Sequence, residues 1–176
     1  MLTTLVMTVI GPDRPGLVQL IAACVADRGG NWLESRMCHL GGEFAGILRV
    51  QVDEQRQPAL TEALRALQGQ GLTITLQPDR GGKPPAEQKW AALELVGQDR
   101  PGIVREISHA LARYGVNVEE LSSECASAPM TGEKLFKASA RLQIPATCKQ
   151  AELREELEKI ANDLMVDISL EELKKG

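Results

Sequence analysis

Gly11-Pro12-Asp13-Arg14-Pro15-Gly16 returns 86 residues later as Gly97-Gln98-Asp99-Arg100-Pro101-Gly102, and this repetition decides how the rest of the chain is read. At the same offset Val18, Ile21, Ala26, Gly29, Asn31 and Glu34 find identical residues at Val104, Ile107, Ala112, Gly115, Asn117 and Glu120. Between the copies, the stretch from Pro78 to Gln88 is rich in Pro, Gly and charge and reads as an exposed linker. The chain therefore divides into a first domain at residues 1–78, a linker at 79–88 and a second domain at 89–176.

Working outward from each hexapeptide gives the same order of elements twice. The apolar runs Leu5 to Ile10 and Ala91 to Val96 suit a strand buried on both faces. Pro15 and Pro101 suit the first position of a helix, where no amide donor is needed. Leu17, Leu20, Ile21, Cys24 and Val25 then recur at helical spacing, as do Ile103, Ile107, Ala110 and Leu111. Gly29 and Gly115 stand where a left-handed residue ends each helix. The stretches Asn31 to Leu40 and Asn117 to Cys125 lack clean alternation and are placed as strands by their position in the repeat. Leu48, Val50 and Val52 alternate with polar residues, as do Phe136, Ala138, Ala140, Leu142 and Ile144, which implies a sheet covered on one side. Matching Phe44 to Phe136 moves the offset to 92, so the second copy carries six extra residues, assigned to the hairpin stretch Ala126 to Gly132. A second helix follows at Leu60, Leu64 and Leu67, and at Leu153, Leu157, Ile160 and Leu164 behind a capping box of Thr147 with Gln150. Leu72, Ile74 and Leu76, and Val166, Ile168 and Leu170, close each half with a strand. The order β-α-β-β-α-β, twice, predicts an α+β protein of two ferredoxin-like domains, each a four-stranded antiparallel sheet with two helices on one face.

Composition limits what such a protein does. Twenty Lys and Arg against 24 Asp and Glu leave a net charge of −4, so no positive field draws a phosphate backbone and direct nucleic-acid binding is not expected. No apolar stretch approaches the roughly 20 residues that span a bilayer, and the first ten residues lack the features of a signal peptide, so a cytoplasmic protein without membrane contact is expected. Cys24, Cys38, Cys125 and Cys148 form no Cys-x-x-Cys pair and read as thiols. Cys38 and His39 are strand neighbours on opposite faces, so no metal is assigned. With two histidines and none of the hydrolase, zinc-protease or phosphate-loop motifs, no catalytic residue and no cofactor is expected.

A ferredoxin-like unit with Gly-x-Asp-Arg-Pro-Gly at its first strand-to-helix junction, and Gly29-Gly30-Asn31 or Gly115-Val116-Asn117 opening its second strand, resembles the ACT domain, a small-molecule sensing module of amino-acid metabolism. The resemblance covers nearly the whole chain, twice. Two such units with no further domain, and Ala128-Pro129-Met130-Thr131-Gly132 ahead of Leu135-Phe136, resemble the family of glycine cleavage repressors in particular. That resemblance implies a regulator that senses a small amino acid, glycine favoured, and represses transcription by contacting a DNA-binding activator protein. It further implies ligands at an interface between paired domains and leaves a homo-oligomer open.

The residues themselves support a ligand site at these junctions. A helix N-terminus offers unpaired amides and partial positive charge to a carboxylate. Gly11 and Gly97 permit close backbone approach, and Asn31 and Asn117 offer a donor and an acceptor to an amino-acid zwitterion. The candidate ligand residues are Gly11, Asp13, Arg14, Gly16 and Asn31 in the first copy, and Gly97, Asp99, Arg100, Gly102 and Asn117 in the second. The same residues also read as helix-start and turn chemistry alone, with Asp as the capping oxygen. On that reading the chain is a ligand-independent dimerising adaptor. A regulatory subunit of an amino-acid-metabolism enzyme is the third option.

Overall fold

The computed structural model describes residues 1–82, 88–127 and 132–173. The chain forms two units, Met1–Gly82 and Lys83–Gly176, with the division inside the 79–88 stretch. Unit 1 runs β1 (Leu2–Pro12), α1 (Leu17–Asp27), β2 (Asn31–Leu40), β3 (Glu43–Asp53), α2 (Gln57–Ala66), a 3-10 turn (Leu67–Gln70) and β4 (Thr73–Pro78). Unit 2 repeats it as β5 (Gln88–Gln98), α3 (Ile103–Arg113), β6 (Asn117–Ser127), β7 (Lys134–Pro145), α4 (Gln150–Leu164) and β8 (Val166–Leu173). Each sheet is antiparallel throughout, in the orders β2-β3-β1-β4 and β6-β7-β5-β8. This is the α+β, ferredoxin-like architecture expected from the repeat.

Each unit has its own core, and the helical and strand periods explain it. Leu17, Ile21 and Val25, one turn apart on α1, pack with Leu60 and Leu64 of α2 against Leu5, Met7, Val9, Leu48 and Val50 of the sheet. In unit 2, Ile103, Ile107, Leu111, Leu153 and Leu157 cover Leu93, Leu95, Leu142 and Ile144. Among the described residues no polar or charged side chain is buried. The ladders coincide: Gly11 faces Phe44 and Asn31 faces Gln51, as Gly97 faces Phe136 and Asn117 faces Gln143. The hairpin ends take up the length difference, two of the six extra residues forming an added ladder pair and four lying between the strands. Leu40 and Glu43 enclose only Gly41 and Gly42, whose φ values of 60° and 84° suit a two-residue type I′ turn. In unit 2 the last pair is Ser127 with Lys134. Of the expected insertion, 128–131 lies outside the described residues.

Helices α1 and α3 end as expected. Gly29, at φ 70°, donates to the Ala26 carbonyl and Gly30 to that of Val25, while Gly115 and Val116 repeat the pattern toward Ala112 and Leu111. These are Schellman ends, in which the left-handed glycine turns two otherwise unpaired carbonyls onto amides.

Three local expectations are corrected. β1 is buried on one face only: Leu5, Met7 and Val9 point into the core, but Thr8 and Ile10 on the reverse are exposed, because both helices lie on the same side of the sheet. Pro15 and Pro101 do not open a helix. Gly16 and Gly102, left-handed at φ 92° and 98°, are the N-caps, and the helices begin at Leu17 and Ile103. Proline followed by glycine at positive φ with ψ near 0° is the pattern of a type II turn, which carries the chain from strand to helix. The Thr147–Gln150 capping box is absent: Lys149 is the N-cap of α4 and no side chain caps it, while Lys149 Nζ donates to Glu152 Oε1 at 2.7 Å.

Candidate functional site

The two hexapeptide loops close the same end of each unit. Gly11 is buried, and a Cβ on it would lie 2.6 Å from the Gly71 carbonyl oxygen and 2.9 Å from Leu72 Cδ2. A Cβ on Gly97 would lie 2.7 Å from Val166 Cβ and 2.9 Å from its Cα. The close approach these glycines permit is therefore to the start of the last strand of their own unit. The Asp13 amide donates to the Gly42 carbonyl at 2.9 Å and the Asp99 amide to the Lys134 carbonyl at 3.0 Å, which ties each loop to the neighbouring hairpin.

The side chains of the loops take different partners in the two units. Arg14 Nη2 donates to the Gln70 carbonyl at 3.1 Å, whereas Arg100 Nη2 donates to Gln98 Oε1 at 3.0 Å within its own loop. Asp13 does not cap α1: its Oδ2 lies 3.6 Å from His39 Nε2. Neither α1 nor α3 has a side-chain cap hydrogen bond. The first turn of α1 contains no acidic residue, while that of α3 contains Glu106, which accepts from Arg105 at 2.8 and 3.0 Å. The first turn of α1 thus sets no carboxylate of its own against the partial positive charge of its N-terminal amides.

The asparagines stand elsewhere. Asn31 opens β2 opposite Gln51, seven positions along β3 from the Phe44 level at which Gly11 sits. At about 3.3 Å per residue that is roughly 23 Å. Asn117 is equally far from Gly97 along β7, and its Nδ2 donates to Gln143 Oε1 at 3.3 Å. A single unit brings Gly11, Asp13, Arg14 and Gly16 together, and likewise Gly97, Asp99, Arg100 and Gly102, but leaves each Asn at its opposite end. The loop partners Gln70, Gly71 and Gly42 were not singled out from sequence, and His39 was weighed only as half of a Cys38-His39 metal pair, not as a partner of the loop. Positive φ at Gly71 and Gly42 marks turns, but His39 has Cys125 as its counterpart, so the repeat passes over it.

Comparison with known proteins fits this architecture. The family model for the ACT domain matches residues 3–77 and again 92–171. A glycine cleavage system transcriptional repressor of Escherichia coli (strain K12) is 26% identical over 168 residues, covering 91% of this chain and 85% of the relative. Among solved structures, a protein described only as unknown from Galdieria sulphuraria superposes with a TM-score of 0.84 at 30% identity, over 99% of this chain and all of that one. A structure assigned as a glycine cleavage system transcriptional repressor gives a TM-score of 0.72 at 21% identity over 99% of both chains, a likeness of fold alone. No helix among the described residues is long and apolar enough to cross a membrane.

Proposed function

Because the chain belongs to the ACT domain family along both of its halves, we propose that it is an amino-acid-responsive regulator, a cytoplasmic repressor of the glycine cleavage system that acts by contacting a DNA-binding activator. The observation that carries the ligand half of this reading is the N-terminus of α1. Its N-cap is a left-handed glycine, no side chain caps it, and its first turn is free of acidic residues, so that turn offers amides and no anion of its own to the carboxylate of a small amino acid. Unit 1 is the better receptor, since Glu106 already places a negative charge in the first turn of α3. Asn31 lies too far along the sheet to reach that same carboxylate within unit 1, so on this reading the amino group is held by an asparagine of a second copy of this chain. A ligand that prefers one arrangement of the protein shifts its population, and the activator has to distinguish the arrangements for a signal to pass.

The separation of loop and Asn within a unit also supports a second reading, a constitutive adaptor that binds no metabolite. Calorimetric titration with glycine and then the other amino acids, on the full chain and on Asn31→Ala and Asn117→Ala, separates the two. Saturable heat abolished by one substitution is the expected result. At one hundred times Kd such a ligand adds about 2.7 kcal/mol of stability, which a thermal melt also reads. No heat and an unshifted melt for every amino acid would leave the adaptor.

A further inference from the structure

Each sheet leaves one face without helices, and the two open faces differ in how charge is laid out on them. In unit 1 the ladders set Arg36 beside Ile47, Thr8 and Thr75 in a row across the four strands, and Glu34 beside Arg49, Val6 and Gln77 in the next. In a third row, toward the loop, Ala45 stands beside Ile10. All the charge in these rows is on β2 and β3, and it is already answered: Glu34 lies 3.7 Å from Arg36 and 3.3 Å from Arg49, and Arg49 lies 2.6 Å from Asp79. β1 and β4 supply only neutral side chains there. In unit 2 the same rows carry charge on every strand: Glu120 and Glu124 on β6, Arg141 on β7, Glu94 on β5, and Asp167 and Glu171 on β8.

This layout selects what covers the face. When two sheets stack about a two-fold axis that runs along the strands, the strand order of one is reversed over the other, so β2 crosses β4 and β3 crosses β1 of the second copy. For unit 1 that sets Arg36 against Thr75, Glu34 against Gln77 and Ile47 against Thr8, and no like charges meet. Ile10 of each copy enters the shallow hollow over Ala45 of the other. For unit 2 the same operation sets Glu120 against Glu171 and Glu124 against Asp167, which repel. A unit 1 face laid on a unit 2 face sets Glu34 against Glu171 and leaves Glu94 against Ile47. At about 4.8 Å between strands and about 3.3 Å per residue, four strands over about nine residues make a face of roughly 19 by 30 Å, so stacking two withdraws on the order of 1,100 Å² from water, about the threshold of a specific contact.

We propose that the open face of the unit 1 sheet is where two copies of this chain meet, stacked face to face about a two-fold axis along the strands. Helix α1, whose N-terminus carries the amino-acid reading, lies on the other side of that sheet. The stacking is therefore separate from the contact that brings an asparagine of another copy to the loop, and either can fail alone.

The test is sedimentation of the full chain without amino acids from about 1 μM to about 1 mM, which should show a reversible equilibrium of monomer and dimer. Over that range alkylation of Cys38, paired with Ala45 on this face, should slow several-fold, while exposed Cys125, paired with Phe136 on the helix-bearing side, keeps its rate. Thr75→Glu should tighten the dimer several-fold, because Arg36 of the second copy lies against it while Arg36 of its own chain is three strands away, and Thr75→Arg should loosen it. The pair Ala45→Lys and Ile47→Ser, which gives unit 1 the residues that unit 2 has as Lys137 and Ser139, should raise Kd at least tenfold while the melt stays cooperative. Asn31→Ala should leave the association unchanged. A chain that is monomeric at about 1 mM overturns the proposal. So does a dimer in which Cys38 reacts at one rate throughout, which would put the contact on another face, or equal effects of Thr75→Glu and Thr75→Arg, which would exclude this pairing of strands.

Discussion

At Gly11 the absence of a Cβ holds the first loop against the Gly71 carbonyl, and that is a packing role whatever the loop binds. Gly11→Ala should therefore lower stability by about 1–3 kcal/mol through overpacking, read from the urea midpoint with and without amino acids. An unchanged midpoint would mean that the start of β4 gives way easily. The converse case is Met165. It follows α4 at φ 52° and ψ 52°, left-handed and 63% exposed, where the preceding unit has Gly71 at φ 85°. A non-glycine residue there costs about 1–2 kcal/mol, partly offset by the greater chain entropy of glycine. Met165→Gly should stabilise the protein by about 1 kcal/mol with the denaturant slope unchanged, and a loss of stability would show that the Met165 side chain contributes packing that its exposure hides.

Among the elements, the end of β4 is fastened by one carboxylate. Asp79 accepts from Arg49 of β3 at 2.6 and 3.1 Å and from the Gly81 amide at 3.0 Å, while its own amide donates to the Thr4 carbonyl at 2.9 Å. The Gly81 hydrogen bond first, and then Arg49, hold the Asp79 carboxyl below its usual 3.8. A depressed folded pKa contributes stability that is present above the unfolded value and disappears as pH falls through the folded one. Asp79→Asn should be less stable than the parent at pH 7, and the gap should close in acid below the usual carboxylate range, followed by urea midpoints across pH. A gap that stayed constant with pH would assign the effect to packing. The order of these elements was readable because alternation over β3, β4, β7 and β8 and the repeated Gly-x-Asp-Arg-Pro-Gly point to one plan. Pro15 misled because proline before a left-handed glycine and proline opening a helix look alike until φ is known. Ile10 misled because its apolar character is met by solvent within a one-sided sheet. The hexapeptide loop was visible through repetition, but its holders were not: Gln70 lies 56 residues from Arg14 and is joined to it through a carbonyl that any residue type supplies.

For the molecule as a whole, the two separate cores predict that the first unit is a self-sufficient folding unit. Residues 1–82 expressed alone should unfold in one cooperative urea transition, monitored by circular dichroism and by Trp32 fluorescence. A broad, probe-dependent transition would mean that unit 1 draws on the rest of the chain for its stability. A related consequence comes from the hairpin tips. Asp13 binds the Gly42 carbonyl and Asp99 the Lys134 carbonyl at equivalent ladder levels, although one tip holds two residues and the other six. Everything below the tip keeps its register, and doubling a loop costs only about 0.6 kcal/mol. The tip is thus a place where two copies of one architecture can differ in length at little penalty, leaving the strands beneath it interchangeable in plan.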